Sequence, residues 1–199
     1  MVLRRKKIFI VCALGLVFSF TGLAGESPLP ERNPAEFDPG CGRCRMDGNG
    51  GPSEKDGSSI DCMVKALYES ITFPEGKEPD WERLRALFTP DAPFIRINKD
   101  GSVDRMTTES FILSFQERMR KGSVKSFHES ELFRRTQVFG QMAHVFSTYR
   151  KDINMEDPEK FVKGINSLQL FYDGKDWRIG SIVWMDERSD CLIPSEYLR

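Results

Sequence analysis

The stretch DWERLRALFTPDAPF, residues 80–94, decides the fold. Asp80 reads as a helix N-cap, and Trp81, Leu84, Leu87 and Phe88 form the inner stripe of a short amphipathic helix. Pro90 stops it, because the residue before a proline is pushed out of the α region. An acidic turn follows, and Phe94 to Asn98 reads as a short strand.

Upstream, Ile60, Val64, Leu67 and Ile71 recur at helical spacing behind Ser58 or Ser59 as N-cap. Downstream, Asp100-Gly101 is a turn, and Thr107 caps a third helix carrying Phe111, Ile112, Phe115 and Met119. Gly122 closes that helix beside Arg118, Arg120 and Lys121, whose charges suit a helix C-terminus. The period then switches to strands near Val124–Gln137, Gln141–Asp152, Lys160–Tyr172 and Asp176–Asp186. The breaks are Phe139-Gly140, Asn154–Pro158 and Asp173-Gly174. Such close connections favour antiparallel neighbours. The expected architecture is α+β: a cone-shaped, curved antiparallel sheet with three N-terminal-side helices covering its concave face, which leaves room for a ligand.

The N-terminus belongs to a different part of the chain. Arg4, Arg5, Lys6 and Lys7 precede an apolar run from Ile8 to Phe20, and Gly22-Leu23-Ala24 offers small residues before a cut. Residues 1–24 are expected to be a signal peptide. The alternative is a retained anchor, for which the run is short. Loss of four positive charges and no acid would take the formal net charge from −1 to −5. The expected location is periplasmic or secreted, with no stable membrane insertion after cleavage. Residues 25–57 hold seven Gly and five Pro and read as a flexible linker, and residues 58–199 as the folded domain. The Asp47-Gly48-Asn49-Gly50-Gly51 run fails as a calcium loop, because Pro52 takes the sixth position and Ser58 the twelfth.

From about Ser58 to Glu187 the chain resembles the nuclear transport factor 2-like superfamily, near its SnoaL-like and ketosteroid-isomerase-like branches. The carriers are LRALFTPDAPFIRI (84–97), SFHESEL (126–132), GQMAHVFSTYR (140–150) and GINSLQLFYDGKDWRIGSIVW (164–184), in a helix–helix–strand–helix–meander order. The resemblance implies the cone fold and a homodimer through the outer sheet face, and it leaves the activity open. The isomerase branch places an Asp base in the strand after the second helix and an oxyanion-stabilising Tyr on the first helix. Arg96 and Met63 stand at those positions here, with Tyr68 facing elsewhere. Arg96 is no base at ordinary pH.

Two kinds of chemistry stay open. The dehydratase branch, resembled more loosely, uses paired histidines in the sheet. His128 and His144 lie on consecutive strands as a candidate acid–base pair, with Glu129, Glu131 or Asp61 as carboxylate partner. A one-residue register slip would move either to the opposite face, and two structural histidines are the alternative. Arg96 and Asn98, with Tyr149, Asn166, Gln169 and Trp184, are candidate ligand-binding residues, and Ser147 and Ser181 add polar lining. Strand alternation lets only about half of these face inward.

Export would permit disulfides among Cys41, Cys44, Cys62 and Cys191. The favoured pairing joins Cys62 to Cys191 and Cys41 to Cys44. One CxxC without a thioredoxin-like strand gives little support to redox or zinc chemistry, and Arg45 stands where haem attachment needs a His. No cofactor or metal is expected, and the interspersed charges give no support for nucleic-acid binding. The first expectation for function is therefore the binding of a small, partly apolar molecule in the cone. A cofactor-free lyase or isomerase using the His pair, and an interaction domain whose cone is filled by Phe, are the alternatives.

Overall fold

The computed structural model describes residues 56–154 and 161–199. The leader expected at 1–24, the linker as far as residue 55, and Cys41 and Cys44 lie outside the described residues.

Among the described residues, three α-helices precede and interrupt a six-stranded sheet. They are α1 (Ile60–Ile71), α2 (Trp81–Leu87) and α3 (Thr108–Arg120). The strands are β1 (Phe94–Ile97), β2 (Val103–Met106), β3 (Phe127–Phe139), β4 (Met142–Ile153), β5 (Val162–Tyr172) and β6 (Trp177–Asp186). The sheet order is β2-β1-β6-β5-β4-β3. All neighbours are antiparallel except β1 and β6. The α+β architecture is as expected. The additional element is β2, whose four residues are partly or fully exposed and carry Asp104 and Arg105, so no apolar alternation marks it.

Local chemistry explains the helix ends. The Ser59 hydroxyl accepts from Cys62 N, the Asp80 carboxylate from Arg83 N, and Thr107 forms a capping box with Ser110. Gly122 takes φ +71° after α3, a conformation open to glycine without a Cβ penalty. Irregularities at Glu131/Phe133 and Gln169/Leu170 bend the long strands, which curls the sheet around the helices. The first described residues already belong to the domain. Asp56 takes a bidentate contact from Arg83 at 2.7 and 3.0 Å, and Arg83 also bonds Glu69 at 2.9 Å.

The concave face carries the core: Leu84, Phe94, Phe115, Val145, Leu168, Ile179 and Ile182 are buried between helices and sheet. Aromatic rings run in sequence along it: Phe88–Phe94 at 4.4 Å, Phe94–Phe111 at 5.0 Å, Phe111–Phe115 at 6.0 Å and Phe115–Phe127 at 5.4 Å between centroids. Such edge and offset contacts are favourable beyond simple burial. On the outer face, the chain after β6 crosses the sheet. Tyr197 packs on Phe146 at 5.0 Å and its carbonyl accepts from Thr148 Oγ1 at 2.6 Å, while Ile193 N donates to Glu187 at 3.0 Å.

The Cys62–Cys191 bridge does not form. Cys191 carries a free thiol on the exposed tail, whereas Cys62 is buried on α1. The tail turns back at an Arg188–Cys191 bridge on the outer face, while α1 covers the concave one, and the sheet stands between them.

Candidate functional site

The strand registers decide what faces inward. Residues directly opposite in neighbouring strands share a face, so Phe127 and Glu129 on β3 stand with Ile153 and Lys151 on β4. Ser147 stands opposite Asn166, Asn166 opposite Trp184, and Trp184 opposite Arg96. This inner row and the helices enclose a cavity of about 290 Å³. Its apolar wall includes Phe94, Phe111, Phe115, Phe127, Ile182 and Trp184; its polar lining includes Arg96, Lys99, Arg118, Glu129, Lys151, Asn166 and Asp186. The aromatic rings line this space without filling it.

A directional hydrogen-bond chain lies at the floor. The Asn166 amide donates to Glu129 Oε1 and to the Tyr68 hydroxyl, both at 3.2 Å. Ser147 donates to Glu131 Oε1 at 2.6 Å, which leaves Tyr68, 2.7 Å away, as the donor to Ser147. Arg134 holds Glu131 at 3.1 Å. Burial, with the Glu129 charge beside it, pushes the Tyr68 hydroxyl far above its ordinary pKa, so it stays a neutral donor. Next to this chain, Asp186 accepts from both Lys151 and Tyr149. Gly164 makes room for the Tyr149 ring, which lies where a Cβ would stand.

Glu129 is the group that sets the chemistry. Its backbone is pinned, because Glu129 N donates to Thr72 Oγ1 at 3.1 Å and Phe73 bridges Phe127. The residue is half-buried and lines both this cavity and another beside α1, while protein surrounds its carboxyl. Desolvation therefore raises the pKa to about 7; Lys151 and Asn166 oppose that rise and Asp186 adds to it. A carboxyl poised there can both donate and accept a proton near neutral pH.

The residues expected from sequence separate into two groups. Asn166 and Trp184 line the cavity, Arg96 stands at its mouth bonded to Asp104 at 2.8 Å, and Tyr149 is buried behind it. Tyr68, expected to face elsewhere, is drawn into the floor. Asn98 sits in the β1–β2 turn, bonded to Ser102 at 3.0 Å, and lines a neighbouring polar cavity instead. Gln169 is exposed opposite His144 and Ser181 on the outer face.

The histidines do not form the expected pair. His128 is opposite Asp152, 4.0 Å away, and His144 bonds Ser167 at 3.0 Å; both are on the outer face. His128's partner Asp152 and His144 are eight residues apart on β4, roughly 26 Å of strand at ~3.3 Å per residue. Phe127 is the physical reason: its burial turns Glu129 inward and His128 outward. Asp61, the third suggested partner, pairs instead with Arg134 at 3.1 Å. Glu129, Lys151, Asp186 and Arg118 are thus the site groups that the sequence reading did not assemble.

No protein-family model matches the chain, and no curated protein does. Solved structures do. A nuclear transport factor 2-like protein of unknown function from Pseudomonas putida aligns with TM-score 0.50 at 11% identity, covering 68% of this chain and 89% of its own. A hexachlorocyclohexane dehydrochlorinase from Novosphingobium barchaimii aligns with TM-score 0.50 at 9% identity, covering 66% and 86%. A protein of unknown function from Mycobacterium tuberculosis aligns with TM-score 0.50 at 18% identity, covering 68% and 79%. At these identities the likeness is one of fold, and the described domain has the nuclear transport factor 2-like fold.

Proposed function

We propose that this is an exported protein whose cone binds a small, partly apolar molecule. The observation that carries the reading is the cavity itself: an apolar aromatic wall, a polar floor and an open side, with the Phe rings packed around the space and not in it. Pockets of this make-up, mostly apolar with a few convergent polar groups, are the usual form of small-molecule sites. The N-terminal basic and apolar pattern supports export. Phe139, Met142 and Phe171, neighbours in the sheet register and exposed on its outer face, support assembly as a homodimer there.

The test is native mass spectrometry of protein recovered from the periplasmic fraction of cells expressing the full chain. Cleavage after Ala24 and a co-purifying small molecule are expected. A full-length cytoplasmic protein would refute export, and an empty cone across several growth conditions would refute the carrier.

A second reading has one specific support, the Glu129 carboxyl at the cavity floor. In it, Glu129 exchanges a proton with the bound molecule, taking the acid–base part that the histidines are too far away to play. Deuterium exchange into the co-purified molecule in D2O, fast with wild type and lost in Glu129→Gln, is the expected result. Equal exchange by both proteins would end this reading.

A further inference from the structure

We propose that the cone selects a monocarboxylate, its head group held at the mouth by Arg118 with Lys99 and Arg96 and its apolar body lying against Phe94, Phe111 and Trp184. The proposal rests on the ligand-binding reading above and names the ligand's class.

The mouth is short of negative charge. Arg118 rises from α3, half-buried, with its guanidinium carbon 5.6 Å from the centre of the Phe115 ring. Among the described residues, no carboxylate pairs with Arg118 or with Lys99. Arg96 has Asp104, and that pair is open to solvent, its side chains 45% and 43% exposed. Asp186 reaches the same wall and is already taken by Lys151 and Tyr149. A second cavity of about 200 Å³ shares Arg96, Lys99, Trp184 and Asp186 with the cone and adds Arg188, which is paired with Asp190 at 3.0 Å. Desolvation, and after it repulsion from Arg96, lowers the pKa of Arg118. Two cations lining one cavity, one of them half-buried, gain from an oxyanion between them.

Size and charge narrow the ligand further. A cavity of about 290 Å³ is at the low end of the usual ~300–1,000 Å³ for ligand sites, which suits one ring or a short chain. Arginine's planar fork matches a carboxylate bidentately. A phosphate monoester offers the same oxygens with more charge, and the second negative charge would press on Asp186, so a single charge fits better.

Calorimetric titration of the full-length protein with octanoate, octan-1-ol and octyl phosphate tests this. Octanoate is expected to bind at least ten-fold more tightly than octanol and more tightly than octyl phosphate. Arg118→Gln is expected to remove the preference for octanoate over octanol. Arg120→Gln, on the same helix with its side chain 73% exposed and paired to Glu117, is expected to keep that preference. Equal binding of octanoate and octanol by wild type would overturn the carboxylate assignment and leave the apolar cone standing. Tighter binding of octyl phosphate would overturn the choice of a single charge. Binding of none of the three would overturn both this proposal and the reading it rests on. Retained preference in a folded Arg118→Gln protein would overturn the role of Arg118.

Discussion

Glu129→Gln should make the protein more stable at alkaline pH, although it removes a charged residue from a hydrogen-bonded site. The Glu129 carboxyl titrates at about 7 in the folded protein against an ordinary value of 4.5. The folded state then holds a proton that the unfolded state has released, and stability falls as pH rises from about 4.5 through 7. At 1.36 kcal/mol per pKa unit the full loss is at most about 3 kcal/mol, of which about 2 kcal/mol falls between pH 5.5 and 7. Gln keeps the shape and accepts the same Asn166 donor without ionising. Urea unfolding of both proteins from pH 5.5 to 8.5 isolates the effect, because groups common to both cancel in the difference. The groups facing Glu129 are Lys151 and Tyr149 on β4, Asp186 on β6, Asn166 on β5 and Tyr68 on α1. The variant's advantage should grow by about 2 kcal/mol from pH 5.5 to 7 and level off above it. A difference that stays flat across this range would refute the argument that the cavity desolvates Glu129.

Other expectations follow from the same geometry. Asp186→Asn leaves Lys151 beside Glu129 without a compensating anion, so the Glu129 carboxyl should titrate at lower pH, observable by carbon-13 NMR of the side chain. Gly164→Ala sets a Cβ against the Tyr149 ring and 2.6 Å from the Met185 carbonyl, and should cost about 2–3 kcal/mol in thermal unfolding; an unchanged melting temperature would contradict this packing. A thiol reagent should label Cys191 in the native protein, read as a mass shift of its own tail peptide, whereas a Cys62–Cys191 cross-linked peptide in a non-reducing digest would show the free thiol to be wrong.

The helices were legible because their signals are local: Ser59, Asp80 and Thr107 each cap within three residues, and the apolar stripes behind them have nowhere else to pack. The meander was legible from its period. The edge strand β2 was not, because Asp104 and Arg105 occupy its middle and hide the one side chain, Met106, that packs against the core. The parallel pairing of β1 with β6 joins residues far apart in sequence, and no local rule encodes it. The site was legible only in part. Phe127 and the Leu168–Leu170 pair already fix parity: residues one away from a buried apolar side chain, such as His128 and Gln169, point outward, and Glu129, two away from Phe127, points inward. Lys151 and Asp186 stand near strand ends, where charged residues usually mark solvent, and Arg118 has an ordinary explanation as a helix C-terminal charge. Only tertiary contact turns these three toward one cavity.

The tail after β6 lies beyond the motifs that carry the sequence resemblance, yet it is part of the sheet's cover. A chain ending at Glu187 would uncover Phe146, Ile97, Ile165, Val183 and Met185 together, a continuous apolar surface on one side of the sheet. Exposed apolar patches of this kind favour association with other surfaces. The tail contacts made by Cys191 to Pro194 and by Tyr197 therefore belong to the domain as much as β6 does, and an expression strategy has to keep them.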